Sequence, residues 1–276
     1  MSSHLVRRAL LLAPLLLLAL VGCPAHNGRH SSDDPLAGII TQPSGFAIKG
    51  RMYLNIKAPR WDISGTTSTT MVVHRPSDLY LQVRGPVNNV MLQGTANRQE
   101  LVLVIPPMNK AFTATSPDAA MRALTGGALG IDGVLSMLVA RLPDIDLELL
   151  EVREEKKTRE LLLKAPGDFQ VQASVDNKRG RLRGLVVSDP EGTVLVEMTY
   201  EGSFRDARAY YPEVFTMNVP ALDLTLKADF QAWDIMGEVP AIFTTAVPEG
   251  AEVVDIEQAI EGGISLPATT DEHPPQ

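Results

Sequence analysis

The feature of this sequence that most constrains its fold is an alternation of apolar and polar side chains with a period of two residues. Met52, Leu54 and Ile56 alternate with largely polar neighbours, and the longest example runs from residue 222 to residue 232. Such alternation is typical of strands that bury one face and expose the other. We therefore predict a long antiparallel sheet with one apolar face.

The same alternation, or a β-branched composition, marks further strands along the chain. The predicted strands lie at residues 51–57, 63–73, 79–84, 100–105, 169–175, 194–200 and 222–232. Asp176-Asn177-Lys178-Arg179-Gly180 and Asp189-Pro190-Glu191-Gly192 are turn sequences between them. The segment 144–164 is ambiguous, because its charged centre could form a helix or the tip of a hairpin. We favour the hairpin.

Two short helices are predicted in the middle of the chain. Ser116-Pro117-Asp118 supplies an N-cap, a proline at the first helical position and an early carboxylate, and Gly126-Gly127 ends this helix. Asp132 is expected to cap a second helix over residues 133–142, which Pro143 ends. The side chains of that helix are nearly all apolar, so we expect it to be covered on most sides.

These elements together predict the fold class. A sheet with one apolar face needs a partner that buries this face, and the two helices are the candidates. We expect an α+β fold in which a curved antiparallel sheet forms an incomplete (half) β-barrel, wrapped around or covered by short helices. The length of 276 residues gives room for a sizeable core, and no repeat of roughly 20 to 50 residues indicates a solenoid or propeller.

Charge and cysteine content exclude several classes of protein. The chain has 25 Lys and Arg residues and 33 Asp and Glu residues, so its formal net charge is −8. No overall basic field is present to neutralise a phosphate backbone, which disfavours nucleic acid as a partner. A single cysteine excludes a disulfide within the chain and any multi-cysteine metal site, and no cofactor is expected.

Known catalytic motifs are missing from the predicted domain. His74 is its only histidine, so it contains no histidine pair that could ligate a metal. Gly127-x-x-Gly130-x-x-Gly133 lacks the lysine of a phosphate-binding loop and is interpreted as the connection between the helices. Glu154-Glu155 lies in a run of charges that indicates a solvated face. We therefore expect no enzymatic activity.

The N-terminus has the pattern of an export signal. Arg7 and Arg8 precede an apolar run over residues 9–22, which is shorter than the roughly 20 residues that span a bilayer. The closing Leu20-Val21-Gly22-Cys23 resembles the lipobox of bacterial lipoproteins. This resemblance implies cleavage before Cys23 and acylation of its thiol and amine, with palmitate as a typical chain. The alternative is an ordinary signal followed by a lone buried cysteine.

The sequence divides into four predicted segments. They are a lipoprotein signal peptide (1–22), a flexible tether that begins at the acylated cysteine (23–42), a half-barrel domain (43–258) and a disordered tail (259–276). Pro24 follows the cysteine, where an Asp is the usual inner-membrane retention signal of enterobacteria. We therefore expect a protein anchored by lipid in the cell envelope, in the outer membrane and facing the periplasm.

Three short motifs are similar to segments of the LolA/LolB-like superfamily of bacterial lipoprotein carriers and receptors. The first is Val72-Val73-His74-Arg75-Pro76-Ser77-Asp78-Leu79-Tyr80, a strand that enters Arg-Pro and returns as a strand. The second extends from Ile242-Phe243 to Val247-Pro248-Glu249-Gly250-Ala251-Glu252-Val253, and the third is Tyr211-Pro212 before two long strands. In element order the resemblance covers residues 45–255.

The resemblance implies an apolar cavity for acyl chains inside the half-barrel. Candidate lining residues are Met52, Leu54, Ile56, Leu79, Leu81, Leu101, Leu103, Leu135, Leu138, Leu142, Leu224, Leu226 and Phe230. In the soluble carrier the arginine of the Arg-Pro motif bonds to the lid helices, and Arg75 matches it. We expect its donors to reach backbone carbonyls at a helix end. The alternative is that Arg75 caps a turn before Pro76.

One departure from the family bears on function. The receptor has an apolar loop tip that meets the membrane, but the corresponding loop here, residues 85–89, contains only Val87 as an apolar residue. We expect a protein that binds acyl chains of a lipid or lipoprotein and assists their transport or outer-membrane placement. The alternative is a non-catalytic envelope component or regulator that uses the same fold to bind other envelope proteins.

Overall fold

The computed structural model describes residues 35, 36, 38–40, 46–59, 63–85, 87–125, 127–143, 145–205 and 210–256. The predicted signal peptide, Cys23, most of the tether and the whole predicted tail lie outside these residues. The structural findings below concern the described residues.

The first half of the sheet is a meander of six strands. They are β1 (Ala47–Ala58), β2 (Ile63–His74), β3 (Asp78–Arg84), β4 (Val90–Ala96), β5 (Leu101–Ile105) and β6 (Lys110–Ala114). A 3-10 turn, Pro106–Met108, joins the last two strands and ends at Asn109, which adopts the left-handed conformation that asparagine tolerates. Each strand pairs with the next in antiparallel register.

Two short helices follow this meander, and the second half of the sheet comes after them. The helices are α1 (Pro117–Leu124) and α2 (Ile131–Leu138). The later strands are β7 (Glu148–Glu154), β8 (Thr158–Lys164), β9 (Gln170–Asp176), β10 (Arg181–Ser188), β11 (Val194–Glu201), β12 (Phe204–Arg205), β13 (Tyr210–Tyr211), β14 (Val214–Val219), β15 (Leu224–Met236) and β16 (Glu252–Asp255). A second 3-10 turn, Pro220–Leu222, connects β14 and β15.

Fourteen of these strands form one curved, unclosed sheet. Its order is β16-β6-β5-β4-β3-β2-β1-β15-β14-β11-β10-β9-β8-β7, and β12 pairs separately with β13. The two halves meet where β1 pairs with β15 in antiparallel register. Only β16 is parallel to its neighbour, β6. The order of strands therefore begins at β16 and ends at β7 without closing, as in an incomplete barrel.

The main apolar core lies between the helices and one face of the sheet. Met52 and Met71 from the first half, Leu161 and Met198 from the second half, and Leu135 of α2 are all at most 5% exposed and belong to this core. We call this the inner face. Because both halves contribute side chains to it, the core joins the helices to both halves of the curved sheet.

A separate strap crosses the outer face of the first half. Phe243, within residues 237–251, packs with Ala47 and Val72 in a smaller apolar cluster. Asn97 Nδ2 donates to the Phe243 carbonyl at 3.1 Å, and Gln93 Nε2 donates to Thr245 Oγ1 at 3.0 Å. The strap ends in β16, which explains why this strand runs parallel to β6.

The structure corrects the predicted fold class and the predicted second helix, and it confirms the favoured hairpin. The fold is mostly β with two helices and is not the α+β fold that was expected. The expected half-barrel corresponds to the open, curved sheet. The segment after residue 144 is a hairpin, β7–β8, as favoured. The second helix begins at Ile131 and ends at Leu138, because Ala140 adopts a left-handed conformation with φ of 56°. Gly130, and not Asp132, is its N-cap.

Part of the predicted tether contacts the main core. Ile39 is fully buried in the main core, and the half-buried Leu36 and Ile40 pack against the same core. The carbonyl of Ile39 accepts a hydrogen bond from Leu142 N at 2.9 Å. Removing these apolar side chains from water is favourable, so the described residues 36 and 38–40 of the predicted tether pack against the domain.

Candidate functional site: the inner face and its helices

The two helices are joined to each other at the start of α2. Ser116 caps α1 by accepting a hydrogen bond from Ala119 N at 3.3 Å, as predicted from the sequence. Asp118 Oδ1 accepts from Ile131 N at 3.1 Å, so a carboxylate of α1 caps α2. Gly130 allows this approach, because a Cβ atom there would lie only 1.8 Å from that oxygen. Gly127 and Gly130 thus lie in the connection between the helices as predicted, whereas Gly133 lies inside α2.

A bidentate ion pair connects α2 to the turn between β2 and β3. Arg75 Nε and Nη2 donate to the two carboxylate oxygens of Asp132 at 2.8 and 2.9 Å. Both side chains are largely buried, with exposed fractions of 13% and 22%. Asp132 lies in the first turn of α2, where the helix dipole favours a carboxylate.

This geometry differs from the predicted contact of Arg75. The sequence predicts that its donors reach backbone carbonyls at the C-terminal end of a helix, where a cation is favoured. The observed acceptor is instead a side chain at the N-terminal end of α2. Asp132 was read only as a helix cap, so its role as acceptor was missed. An acidic residue in the first helical turn was the available signal, but nothing in the sequence showed which arginine would reach it.

The other end of α2 is held from the second half of the sheet. The Tyr200 hydroxyl of β11 donates to the Met137 carbonyl at 2.8 Å. Burial raises the pKa of Tyr200, so this hydroxyl remains a donor. Together with Arg75, this contact fixes both ends of α2, each to a different half of the sheet. Tyr200 was predicted only as an alternating strand residue.

The predicted cavity residues divide by burial into two groups. The buried group, at most 8% exposed, consists of Met52, Leu54, Leu101, Leu135, Leu142 and Phe230. The half-buried group consists of Ile56, Leu79, Leu81, Leu103, Leu138, Leu224 and Leu226. All of them except Leu103 and Leu224 belong to the main apolar core or pack against it. The structure therefore brings most of the set together and fills part of the inner face with α2.

The half-buried members form two ladders on the inner face. Ile56 pairs with Leu226, which pairs with Met217 on the other side. In the first half, Leu81 and Leu103 both pair with Gly94, which lies between them. Directly paired residues of antiparallel strands share one face, so each ladder is an apolar row of half-buried side chains.

Stacked aromatic rings cover the junction of the two halves. The rings of Phe230 and Trp233 are 4.1 Å apart, and Trp233 Nε1 donates to the Pro212 carbonyl at 2.8 Å. Gly50 lies directly beneath them, because a Cβ atom there would meet Phe230 Cε1 at 2.8 Å. The glycine thus lets two aromatic rings pack against the backbone of β1.

The remaining findings concern the loop between β3 and β4, metal-binding groups and membrane-spanning helices. The loop between β3 and β4 exposes Val87 by 83%, and Arg84 Nη1 braces it by donating to the Asn88 carbonyl at 3.1 Å. Within the described ranges no group of three or more His, Cys, Asp or Glu side chains is placed to hold a metal ion. No described helix is both long and apolar enough to cross a membrane.

Comparison with known proteins gives fold likeness at low sequence identity. No protein-family model matches the sequence, and no curated protein matches it. Among solved structures, a LolA superfamily protein from Nitrosomonas europaea has a TM-score of 0.52 at 13% identity, covering 76% of this chain and 94% of its own. A domain from Vibrio parahaemolyticus named for outer-membrane lipoprotein sorting has a TM-score of 0.51 at 9% identity, covering 71% and 87%.

A third solved structure is similar to the same degree. A DUF1329 family protein from Desulfovibrio piger has a TM-score of 0.51 at 9% identity, covering 72% of this chain and 89% of its own. Sequence identity at this level shows the fold alone. The open sheet, the two helices on its inner face and these three likenesses show that the chain has a LolA-like fold.

Proposed function

We propose that this protein is a lipid-anchored protein of the cell envelope that binds acyl chains of a lipid or lipoprotein on its inner face. It assists their transport or their placement in the outer membrane. The observation that carries the proposal is the pair of half-buried ladders, one of which contains Ile56 and Leu226, beneath two helices in a LolA-like fold. The proposal includes binding and transfer and no catalytic step.

The contacts of α2 support a role for this helix as a lid. Apolar packing is non-directional, but the bidentate pair of Arg75 with Asp132 and the hydrogen bond of Tyr200 are specific polar contacts. They hold the helix in one position over the inner face. Water can replace each of them when an acyl chain displaces the helix, so opening does not leave these polar groups without partners.

Anchoring and location rest on the N-terminal sequence. The basic residues, the short apolar run and the lipobox-like tetrapeptide ending at Cys23 support lipidation and export. Several acyl chains on one residue would give stable anchoring, since a single chain binds membranes only marginally. Pro24 supports the outer membrane as the destination.

One observation favours the alternative function, in which the fold is a protein-interaction module of the envelope. Leu135 and Leu142 are fully buried between α2, the following segment and the sheet. If this packing is permanent, the helices plug the inner face and leave no room for an acyl chain. The two functions then differ in whether α2 leaves its position.

The test places a charge on α2 at two depths. Leu138 is half-buried and Leu135 is fully buried, so Leu138→Asp probes the accessible side of the helix and Leu135→Asp its core contact. Under the proposed function, Leu138→Asp weakens binding of a fluorescent fatty acid while the protein stays folded, and Leu135→Asp unfolds it. Ala119→Asp on the exposed side of α1 is the control.

The outcome against the proposal is equally specific. A folded wild-type protein that binds no fluorescent fatty acid, and from which mass spectrometry finds no co-purified lipid, would favour the interaction module. In that case Leu138→Asp would change only the free energy of unfolding.

A further inference from the structure

A narrow pocket beyond the C-terminal end of α2 contains two buried guanidinium groups. Arg141 and Arg181 both line it, together with Ser203 and Tyr200. The two arginines are only 6% and 8% exposed. Arginine is almost never this deeply buried unless it is paired, because moving an unpaired cation out of water is costly.

The guanidinium of Arg141 has few partners. Its backbone N donates to the Ser136 carbonyl at 2.9 Å, which places the residue just after the left-handed Ala140. Nη1 makes one long hydrogen bond, 3.4 Å, to the Ala140 carbonyl, and Nε has no partner. Among the described residues no carboxylate forms an ion pair with it. Burial lowers the pKa of Arg141; the Tyr211 phenol opposes this shift, and the nearby charge of Arg75 adds to it.

The guanidinium of Arg181 is also poorly neutralised. It donates to the Ser203 hydroxyl and, at 3.4 Å, to the Gly202 carbonyl, while its Nε has no partner. Its ion pair with Asp176 is long, 3.9 Å, and the same carboxylate oxygen accepts from Arg183 Nη2 at 3.0 Å. One carboxylate is thus shared by two arginines, of which the one outside the pocket is closer.

The pocket therefore has an excess of positive charge in a place of low dielectric constant. The Nε atom of each arginine has no partner, and Asp176, the carboxylate that pairs with Arg181, is closer to Arg183. The free space between the side chains is about 10 Å³, which is about what one water-sized atom requires. This space admits one oxygen of a larger anion, with the remainder of the group at the mouth.

We propose that this pocket binds a phosphate group through Arg141, Arg181 and the Ser203 hydroxyl. The forked donors of arginine match phosphate oxygens in pairs, and a tetrahedral group can accept from two guanidinium groups that approach from different elements. The proposal concerns a site separate from the apolar ladders and does not depend on acyl binding. The phosphate could belong to a lipid headgroup or be free in solution.

The first experiment uses the full 276-residue chain and measures the melting temperature in sodium phosphate against sodium chloride at equal ionic strength. Phosphate should raise the melting temperature with increasing concentration, since a ligand of the folded state stabilises it by mass action. Arg141→Met should weaken phosphate binding about tenfold or more. Arg122→Met, which removes an exposed arginine of α1, is the matched control and should bind like wild type.

The stability of Arg141→Met without phosphate gives an independent readout. Removing an unpaired buried cation should leave the melting temperature unchanged or raise it, whereas a structural ion pair would make the variant less stable. Asp206, which lies outside the described residues, is close in sequence and is tested as Asp206→Asn. Loss of stability in both variants, without any effect of phosphate, would identify an internal counterion and overturn the proposal.

A second experiment distinguishes the two sources of phosphate. Dioctanoyl phosphatidic acid and dioctanoylglycerol have the same chains and differ by the phosphate group. Preferential binding of the phosphatidic acid, lost in Arg141→Met, indicates a lipid headgroup, and equal affinity for inorganic phosphate indicates a free anion. Failure of dioctanoylglycerol to bind would count against the acyl function only. Absence of any phosphate effect in wild type would refute the phosphate site.

Discussion

Breaking the pair between Arg75 and Asp132 tests whether polar contacts hold α2 against the sheet. Hydrogen bonds to charged groups contribute about 1.5–3 kcal/mol, and the partial exposure of the two side chains, 13% and 22%, reduces this to about 1–2 kcal/mol. In a domain of this size 1 kcal/mol changes the melting temperature by about 2–4 °C. The coupling should therefore appear as a deviation from additivity of about 2–8 °C.

The assay is a double-mutant cycle of Arg75→Leu and Asp132→Asn, followed by urea unfolding and thermal melting. The cycle removes the separate effects of each substitution and leaves the pairwise free energy. The control is the same cycle on Arg122 and Asp118, a pair of similar length, 2.9 Å, whose side chains are 49% and 54% exposed. Exposed pairs of this spacing contribute about 0.3–0.5 kcal/mol.

Arg75→Lys separates charge from shape in the same assay. Lysine keeps the positive charge but cannot donate two parallel hydrogen bonds to one carboxylate, so this variant should resemble Arg75→Leu more than wild type. Under the proposed function, ligand transfer to acceptor vesicles should then become faster, because a contact that holds α2 over the inner face has been weakened. Equal coupling energies in the two cycles, or Arg75→Lys with wild-type stability and transfer, would refute the reasoning.

Three further predictions follow from other parts of the chain. Gly50→Ala should destabilise the protein by about 1–3 kcal/mol in urea unfolding, because its Cβ would collide with Phe230, whereas Gly65→Ala has nothing within 4 Å and should be neutral. Burial raises the pKa of Asp176, but hydrogen bonds from Arg183 and two backbone N–H groups outweigh it, so the pKa is lowered overall. Asp176→Asn should therefore be less stable than wild type at pH 7, and the difference in stability should vanish as the pH falls through the lowered pKa. Cys23→Ser should abolish fatty-acid labelling and release the protein from membranes; an unlabelled wild type would contradict the lipoprotein interpretation.

The strands were predictable because their signal is local. The alternation over residues 222–232 indicates the strand that the structure gives as Leu224–Met236, and the turn sequence around Asn177 lies between two antiparallel strands as expected. A one-sided strand places every second residue in the core, so the inner-face residues were largely predictable from the same pattern. The end of α2 was not, because Ala140 is a residue type that rarely adopts a left-handed conformation.

The long-range contacts could not be read from the sequence. Arg75 and Asp132 are 57 residues apart, and each residue type fits several local roles, as a turn residue or a helix cap. Arg141 is the sole charge in an apolar run, which marks it as unusual, but the sequence does not show whether such a residue reaches solvent or is buried. Pairing partners of this kind depend on the three-dimensional path of the chain.

The pairing of β1 with β15 determines when this protein can finish folding. Ile48 lies opposite Ile235, so the strand at the centre of the sheet must wait for a partner that is synthesised almost 190 residues later. Until then the first half has an unpaired central edge, and Val72 lacks the strap that covers it. Contacts this distant in sequence form slowly, and exposed edges invite wrong pairing. A chain of this kind therefore has most need of a factor that holds it unaggregated between the synthesis of its first half and that of residue 236.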